Sequence, residues 1–241
     1  EVVGDIIDSL LRLAFKCIPK EEPKEALKIK EMLVQEYEQW REDVSFPVKP
    51  QKLLYDIRRI MGPDDIVISD VGAHKMWISR HYNCYKPQTC LISNGFASMG
   101  MAVPGAVAAK LVDPNRRVLA IAGDGGFLMN CQEMETAVRL GVSIVVLIVN
   151  DGSYGLIKWK QEDRFGFHCD VDFGNPDFAA MAESMGVKGF RLNRTEDLIP
   201  TLEEAFEAGR PAIIDCPIDY RENTKLTSHL KEVMEKLKMG E

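Results

Sequence analysis

Residues 117–130 read RVLAIAGDGGFLMN, and residues 143–152 read SIVVLIVNDG. Each segment begins as a short run of apolar, largely β-branched residues and ends in small or polar residues. Uninterrupted apolar runs of this length are typical of parallel strands that are buried on both faces. The apolar residues between the two runs recur at helical spacing. The stretch therefore predicts a strand–helix–strand unit of an α/β fold.

The same alternation continues on both sides of this unit. The pattern predicts strands at 66–69, 89–92, 117–122, 143–149, 188–192 and 212–217. It predicts helices at 51–61, 73–82, 98–111, 127–139, 177–184 and 196–207. Six such strands with helical crossovers indicate a doubly wound, six-stranded parallel sheet with helices on both faces. Ligands of such sheets bind beyond the carboxyl ends of the strands.

Composition is that of an ordinary globular protein, with 46% hydrophobic residues, 28% charged residues and a net charge of −7. The acidic balance argues against nucleic acid as a partner. No apolar run reaches the roughly 18 residues that would span a membrane, so we expect no membrane association. The six cysteines form no C-x-x-C pair. Several of them lie in apolar contexts, as reduced, buried cysteines do, so we interpret the six as structural thiols and expect a cytoplasmic protein.

The two ends of the chain differ from its middle. Residues 1–20 contain an amphipathic helix and are expected to be the end of a domain whose body is missing. Residues 21–49 are predicted to be a helical linker, with a helix over 24–42. Residues 50–225 form the predicted ligand-binding domain, and 226–241 a C-terminal helix. Because the chain begins without Met inside an apolar segment, we expect it to be a piece of a longer protein.

A glycine cluster with one carboxylate follows the strand 117–122. Glycines between a strand and a helix let the backbone approach an anion. The dinucleotide fingerprint fails, because Leu128 stands at its third glycine position, and no Walker lysine motif occurs. Asp124 would repel a phosphate unless a divalent cation lay between them, and Mg²⁺ is often shared by carboxylates and phosphates. The sequence therefore predicts a magnesium–phosphate site here.

Further metal ligands are expected at the end of the next strand. We predict that Asp124, the amide oxygen of Asn150 and the backbone carbonyl of Gly152 hold the metal, and that Asp151 points away. The alternative is structural, with Asp124 capping the following helix and Asn150 forming a turn.

At this point a family resemblance becomes specific. Gly123-Asp124-Gly125, a spacer and Asn150 resemble the thiamine diphosphate motif, in which GDG is followed by a spacer and NN; Val149 replaces the first Asn. Residues 45–225 resemble the C-terminal, diphosphate-binding domain of the acetolactate synthases. Residues 1–19 resemble the end of that family's central domain, and its N-terminal pyrimidine-binding domain is absent.

The resemblance implies roles for individual residues. The run 71–77, VGAHKMW, resembles the family's VGxHxMW, which assigns Ala73 and His74 to the terminal phosphate. The run 93–100, SNGFASMG, resembles the loop beneath the thiazolium. The resemblance assigns to Met99 the role of bending the cofactor. It assigns to the Ala97 carbonyl a hydrogen bond from the cofactor's 4′-amino group. The remaining cofactor-binding residues implied are Gly72, Gly123, Asp124, Gly125, Gly126, Asn150, Gly152, Ser153 and Tyr154.

The segment after Asn150 bears on the substrate. Residues 161–165, QEDRF, resemble a segment in which biosynthetic enzymes carry a Trp associated with 2-ketobutyrate preference. Gln161 takes that place here, as in the catabolic, pyruvate-only relatives, and is assigned a catalytic role with Met99. The runs 171–178 and 217–223 also resemble the catabolic type. If Trp159, two residues earlier, were aligned with the Trp of the biosynthetic enzymes, the inference of a catabolic type would be reversed.

The resemblance implies an enzyme that condenses two pyruvates to 2-acetolactate and CO₂ with thiamine diphosphate and Mg²⁺. The glutamate that activates the cofactor lies on the missing domain of a partner subunit. We therefore expect a homo-oligomer with shared sites, and an inactive isolated chain. FAD dependence stays open. The alternatives are another thiamine diphosphate-dependent decarboxylase or carboligase, a non-catalytic cofactor-binding module, and a nicotinamide dehydrogenase, which Leu128 and Asp124 disfavour.

Overall fold

The computed structural model describes residues 3–18 and 23–226 and divides the chain into two compact units. The first unit, up to Glu38, contains the helices α1 (Ile6–Lys16) and α2 (Lys24–Glu38). Asp5 caps the N-terminus of α1, and its side chain accepts a hydrogen bond from the Asp8 backbone N–H. The second unit begins at Gln39 and contains the whole sheet.

The sheet has six strands, all parallel. They are β1 (Ile66–Ser69), β2 (Cys90–Ile92), β3 (Val118–Gly123), β4 (Val145–Asn150), β5 (Lys188–Arg191) and β6 (Ala212–Pro217). Their spatial order is β2-β1-β3-β4-β6-β5. The prediction of a six-stranded parallel α/β sheet is confirmed. The strand order reverses between β1 and β3, and such a reversal opens a crevice at the carboxyl ends of the strands.

Eight α-helices lie wholly within the described part of the second unit, and residues 223–226 are also helical. The eight are α3 (Pro50–Ile60), α4 (Ala73–His81), α5 (Ala102–Val112), α6 (Asp124–Met129), α7 (Glu133–Leu140), α8 (Gly155–Phe165), α9 (Phe178–Ser184) and α10 (Leu198–Glu207). Short 3₁₀ turns cover Thr195–Asp197 and Tyr220–Glu222. No helix within residues 3–18 and 23–226 has both the length and the apolar character needed to cross a membrane.

Two apolar layers enclose the sheet, because successive strand residues point to opposite faces. Helices α3, α4 and α10 cover one face, over Val67, Leu119, Ile121, Leu147 and Ile214. Helices α5, α7 and α9 cover the other, over Ile68, Ala120, Val146, Ile148 and Ile213. Burial on both faces explains why the strands read as uninterrupted apolar runs.

Several helix predictions differ from the structure. The single helix predicted at 127–139 is two helices, α6 and α7, because the chain leaves helical geometry at Asn130. The Asn130 amide donates to the Gly100 carbonyl at 2.9 Å, a tertiary contact that spacing along the chain does not reveal.

One helix was missed, and two predicted helix boundaries were wrong by several residues. Helix α8 was not predicted, although Gly166 ends it in the left-handed conformation favoured at helix C-termini. Helix α5 begins at Ala102 instead of Ser98, and α2 ends at Glu38 instead of Glu42. The predicted C-terminal helix at 226–241 lies almost wholly outside the described residues. The last described residues, 223–226, are helical.

Candidate functional site

A cavity of about 190 Å³ opens at the carboxyl ends of β1, β3 and β4. It lies at the reversal of strand order, where open α/β sheets bind ligands. Its lining comprises Val71, Gly72, Ala73, His74, Ala97, Met99, Gly123, Asp124, Gly125, Gly126, Asp151, Ser153, Tyr154, Gly155, Leu156, Ile157 and Tyr220. All predicted cofactor-binding residues line this cavity except Asn150 and Gly152.

The glycines after β3 leave no room for a side chain. A Cβ on Gly125 would lie 2.7 Å from Tyr154 Cε1, and a Cβ on Gly126 would lie 2.6 Å from Asp70 Oδ2. Helix α6 begins immediately after Gly123, with three residues of this cluster in its first turn. Backbone N–H groups at a helix start carry partial positive charge and suit a bound anion. Small residues therefore bring this backbone against the cavity.

The Asp124 carboxylate is buried at the base of the cavity, with 1% of the residue exposed. Its Oδ1 accepts from the Gly125 backbone N–H at 2.8 Å. Its Oδ2 accepts from the Gly152 backbone N–H at 2.8 Å and from Asn175 Nδ2 at 2.7 Å. Burial raises the pKa of Asp124, and these hydrogen bonds partly offset the rise by stabilising the anion.

Asp151 lines the same cavity, although we expected it to point away. Its Oδ2 accepts from Ser153 Oγ at 2.7 Å. Burial raises the pKa of Asp151 to about 6, and the nearby charge of Asp124 contributes to the rise. Two like charges in a poorly solvated place favour a cation between or beside them.

Asn150 is turned out of the cavity lining. Its Nδ2 donates to Asp215 Oδ1 at 2.8 Å, and its Oδ1 accepts from Asn175 Nδ2 at 2.9 Å. The Gly152 carbonyl accepts from the Phe173 backbone N–H at 2.9 Å. The structure therefore brings Asp124 together with Asp151, and gives the predicted ligands at 150 and 152 protein partners.

Two buried polar groups in the lining, His74 Nε2 and the Tyr220 hydroxyl, lack side-chain hydrogen-bond partners within residues 3–18 and 23–226. The His74 backbone N–H lies close to the Tyr220 hydroxyl. Burial lowers the pKa of His74 to about 4, and a hydrogen bond with the Asp70 backbone carbonyl partly offsets this. Buried polar groups in folded proteins are normally paired, so unpaired ones in a cavity indicate a polar ligand.

The turn that carries Met99 is shaped by Asp70. The Asp70 carboxylate accepts from the backbone N–H groups of Val71 at 2.8 Å, Gly100 at 2.8 Å and Met101 at 3.3 Å. Ala97 has a φ of 52° and Gly100 a φ of 82°, so this turn is tight. Asp70 thus joins the end of β1 to the turn that presents Met99 to the cavity.

Gln161 lies on α8 and does not line the cavity. Its Oε1 accepts from the Cys169 backbone N–H at 3.0 Å, which ties α8 to the loop that follows it. Leu156 and Ile157, from the first turn of α8, reach the cavity instead. Trp159 is buried, with 7% exposed.

Sequence reasoning missed four residues of this site: Asp70, Asp151, Asn175 and Tyr220. Asp151 was visible as a second carboxylate at a strand end and was set aside by an assumed register. For Asp70, its place at the end of a buried strand was the available signal. The sequence carried no comparable signal for Asn175 or Tyr220, because both meet the site from distant segments.

The site fits a divalent cation bound together with a diphosphate. Within residues 3–18 and 23–226, no group of three or more His, Cys, Asp and Glu could hold a metal alone. Two carboxylates without further side-chain ligands leave coordination positions for phosphate oxygens, as is common for Mg²⁺. The glycine backbone and the unpaired groups of His74 and Tyr220 suit those phosphates.

The fold and this cavity define a diphosphate-binding α/β domain. A search of protein families assigns residues 70–216 to "Thiamine pyrophosphate enzyme, C-terminal TPP binding domain". Because that match covers more than half of the chain, the chain belongs to this family of thiamine diphosphate-binding domains.

Its relatives include acetolactate synthases. The chain is 35% identical over 235 residues to the acetolactate synthase of Bacillus subtilis (strain 168), covering 95% of the chain and 41% of the relative. It is 35% identical over 191 residues to the catabolic acetolactate synthase of Raoultella terrigena, covering 78% and 34% respectively. The resemblance inferred from the motifs is confirmed. The chain spans less than half the length of these relatives.

Proposed function

We propose that the full-length protein is an acetolactate synthase that condenses two pyruvates to 2-acetolactate and CO₂. In this proposal, residues 50–225 hold the diphosphate end of thiamine diphosphate through Mg²⁺. The observation that supports this proposal is that the carboxylates of Asp124 and Asp151 lie close together in one cavity. The same cavity contains His74 Nε2, which has no side-chain hydrogen-bond partner. A cation and a phosphate together satisfy all three groups.

The cation would lie at the two carboxylates. Asp124 is the first ligand in the proposal. For the second, the geometry favours Asp151 over Asn150, because Asp151 lines the cavity and both ends of the Asn150 amide have protein partners. The Gly152 carbonyl keeps a second lone pair beyond its bond with Phe173, so it stays a candidate ligand.

The phosphates would lie against the glycine cluster and His74. Gly125 and Gly126 bring backbone N–H groups to the cavity without side chains in the way. His74 Nε2 and the Tyr220 hydroxyl would meet phosphate oxygens. A phosphate beside His74 opposes the effect of burial on its pKa and favours the protonated ring.

Bound thiamine diphosphate supplies the carbon nucleophile for decarboxylation and carbon–carbon bond formation. The chain's own contribution is to orient it. Met99, presented by the turn that Asp70 holds, would pack against the cofactor and bend it, with the Ala97 carbonyl nearby. Ser153 and Tyr154 line the same cavity.

Pyruvate is the proposed acceptor as well as the donor. The support is Gln161 in the QEDRF segment and the similarity to a relative named as catabolic. Since Gln161 lies outside the cavity lining, its proposed effect on the acceptor would act through the position of α8. We further propose a cytoplasmic homo-oligomer with shared sites. All six cysteines carry free thiols, which supports a reducing compartment.

A calorimetric titration tests the binding part of this proposal. Thiamine diphosphate should bind the chain about 10- to 100-fold more tightly with Mg²⁺ than with EDTA, and Asp124→Ala should abolish the difference. Asp64→Asn, at an exposed carboxylate paired with Lys86, is the matched control and should keep it. Equal binding with and without Mg²⁺ would refute the cation–diphosphate site.

A product assay tests the reaction. The full-length enzyme, given pyruvate and 2-ketobutyrate in competition, with and without FAD, should form mainly 2-acetolactate. Acetaldehyde as the main product would indicate a simple decarboxylase, and predominant use of 2-ketobutyrate would overturn the role given to Gln161. The isolated chain should form no acetolactate, because the activating glutamate is proposed to lie on a missing domain.

A further inference from the structure

Asn175 makes two hydrogen bonds at the proposed cation site from a segment that sequence analysis did not connect with it. Its Nδ2 donates to Asp124 Oδ2 at 2.7 Å and to Asn150 Oδ1 at 2.9 Å. Both partners are acceptors where they face it, so the amide must present its NH₂ group to them. The Asn175 Oδ1 atom is buried and has no partner within residues 3–18 and 23–226.

The backbone holds Asn175 in place from both sides. Residues 171–173 pair with the loop 152–154 through two backbone hydrogen bonds, Tyr154 N–H to the Val171 carbonyl and Phe173 N–H to the Gly152 carbonyl, each 2.9 Å. On its other side, Asp177 caps α9 by accepting from the Ala180 N–H at 3.0 Å. The protein's own backbone contacts therefore position Asn175 beside Asp124.

The two oxygens of the Asp124 carboxylate accept different numbers of hydrogen bonds. Each carboxylate oxygen has two lone-pair sites. Oδ2 receives two donors, Gly152 N–H and Asn175 Nδ2, so both of its sites are filled. Within the described residues, Oδ1 receives one close donor, the Gly125 N–H at 2.8 Å, and the Asp151 backbone N–H also lies near the carboxylate. Because the Gly152 N–H and Asn175 Nδ2 both occupy Oδ2, a cation that approaches this carboxylate meets Oδ1 as the less occupied oxygen.

We propose that Asn175 is a positioning residue that occupies Asp124 Oδ2 and so confines the carboxylate to one-oxygen coordination of the cation through Oδ1. This inference rests on the proposed cation–diphosphate function. Its consequence is selectivity. Mg²⁺ requires near-octahedral geometry, whereas Ca²⁺ accepts two-oxygen carboxylate coordination and more ligands. Asn175 therefore favours Mg²⁺ over Ca²⁺ at this site.

The test measures how Mg²⁺ and Ca²⁺ support the binding of thiamine diphosphate to the chain. Calorimetric titrations of each cation at fixed thiamine diphosphate give two apparent affinities for each protein. Asn175→Ala removes the donor to Oδ2, and Asn175→Asp replaces it with an acceptor of the same size. Both should lower the Mg²⁺ affinity about tenfold and change the Ca²⁺ affinity less than twofold or raise it.

Asn223→Ala is the matched control. The Asn223 Oδ1 accepts from Trp77 Nε1 at 2.7 Å in the core, so this variant also loses a buried asparagine contact. It should be less stable but keep the wild-type ratio of Mg²⁺ to Ca²⁺ affinity. If Asn175→Ala does not fold, Asn175→Asp carries the test, since it keeps the shape of the side chain.

The outcomes separate the inference from the function beneath it. If the wild-type chain binds thiamine diphosphate equally with and without either cation, the proposed function fails and this inference fails with it. If the wild type prefers Mg²⁺ and both Asn175 variants keep that ratio, the inference alone is overturned. A ratio that falls about tenfold in the Asn175 variants and not in Asn223→Ala supports it.

Discussion

Replacing Asp151 by Asn should stabilise the cation-free protein and reduce the stability that the protein gains from the bound cation. Burial and the neighbouring Asp124 raise the pKa of Asp151 from 3.8 to about 6. A rise of roughly two pKa units corresponds to about 3 kcal/mol of lost unfolding free energy once the group is ionised. Asn has nearly the same shape, keeps an acceptor for the Ser153 hydroxyl and carries no charge.

The pH dependence follows from the raised folded pKa. Above pH 6 Asp151 is ionised in both states, and the full penalty of about 3 kcal/mol applies. As the pH falls from 6 towards 3.8 the folded protein takes up the proton first, so its stability rises. At about pH 4.5 the advantage of Asp151→Asn should have shrunk to about 1 kcal/mol.

Thermal and urea unfolding in EDTA measure this effect. At pH 8, Asp151→Asn should raise the melting temperature by roughly 6–12 °C. With Mg²⁺ and thiamine diphosphate, the wild type should gain stability from the bound ligands and the variant much less. Asp215→Asn is the control, because Asp215 is buried even more deeply than Asp151 but is paired with Asn150 and Arg191, so its variant should lose stability.

Two results would refute this reasoning. One is an Asp151→Asn variant that is no more stable than the wild type at pH 8 in EDTA. The other is a stabilisation that stays constant between pH 8 and about pH 4.5, which would show that the charge of Asp151 is not its cause.

Three further predictions follow from other contacts of the site. Burial lowers the pKa of His74 from 6.5 to about 4, so the wild type should lose up to about 3 kcal/mol of unfolding free energy as the pH falls from 6.5 to 4 in EDTA. His74→Gln should abolish this loss, and a variant whose urea unfolding depends on pH as the wild type's does would contradict the prediction. Gly125→Ala should weaken calorimetric binding of Mg²⁺–thiamine diphosphate at least tenfold, since its Cβ would meet Tyr154 at 2.7 Å, whereas Gly174→Ala, with open space, should not. Asp70→Asn should cost about 2–3 kcal/mol of unfolding free energy, because an amide cannot accept all three backbone N–H groups; a urea midpoint equal to that of the wild type would refute it.

The sequence alone predicted the parallel sheet and its strands with errors of one or two residues at most ends. Strands such as β3 and β4 are apolar throughout because both faces are covered, and that pattern is visible along the chain. Helix boundaries were less predictable. The break at Asn130 depends on Gly100, thirty positions away, and no local propensity encodes that contact.

The sequence also determined that a carboxylate lies in a glycine cradle at the end of β3, and from this the expectation of a cation with a diphosphate. It could not determine which neighbour joins Asp124. Whether residue 150 or residue 151 faces the cavity depends on how the chain turns after β4, and successive residues of an extended chain point to opposite sides. The tertiary structure brings Asp151 to the cavity and gives Asn150 to Asp215 and Asn175.

Tertiary structure alone decided the outer contacts of the site. Asn175 and Tyr220 reach Asp124 and His74 from the segment before α9 and the turn after β6. Residue periodicity describes neighbours within one helix or strand, whereas these contacts depend on strand order and on the path of two loops. The residues of the cradle could be read from the chain, but the partners that set the hydrogen bonding and charge of its carboxylates could be found only once the chain was folded.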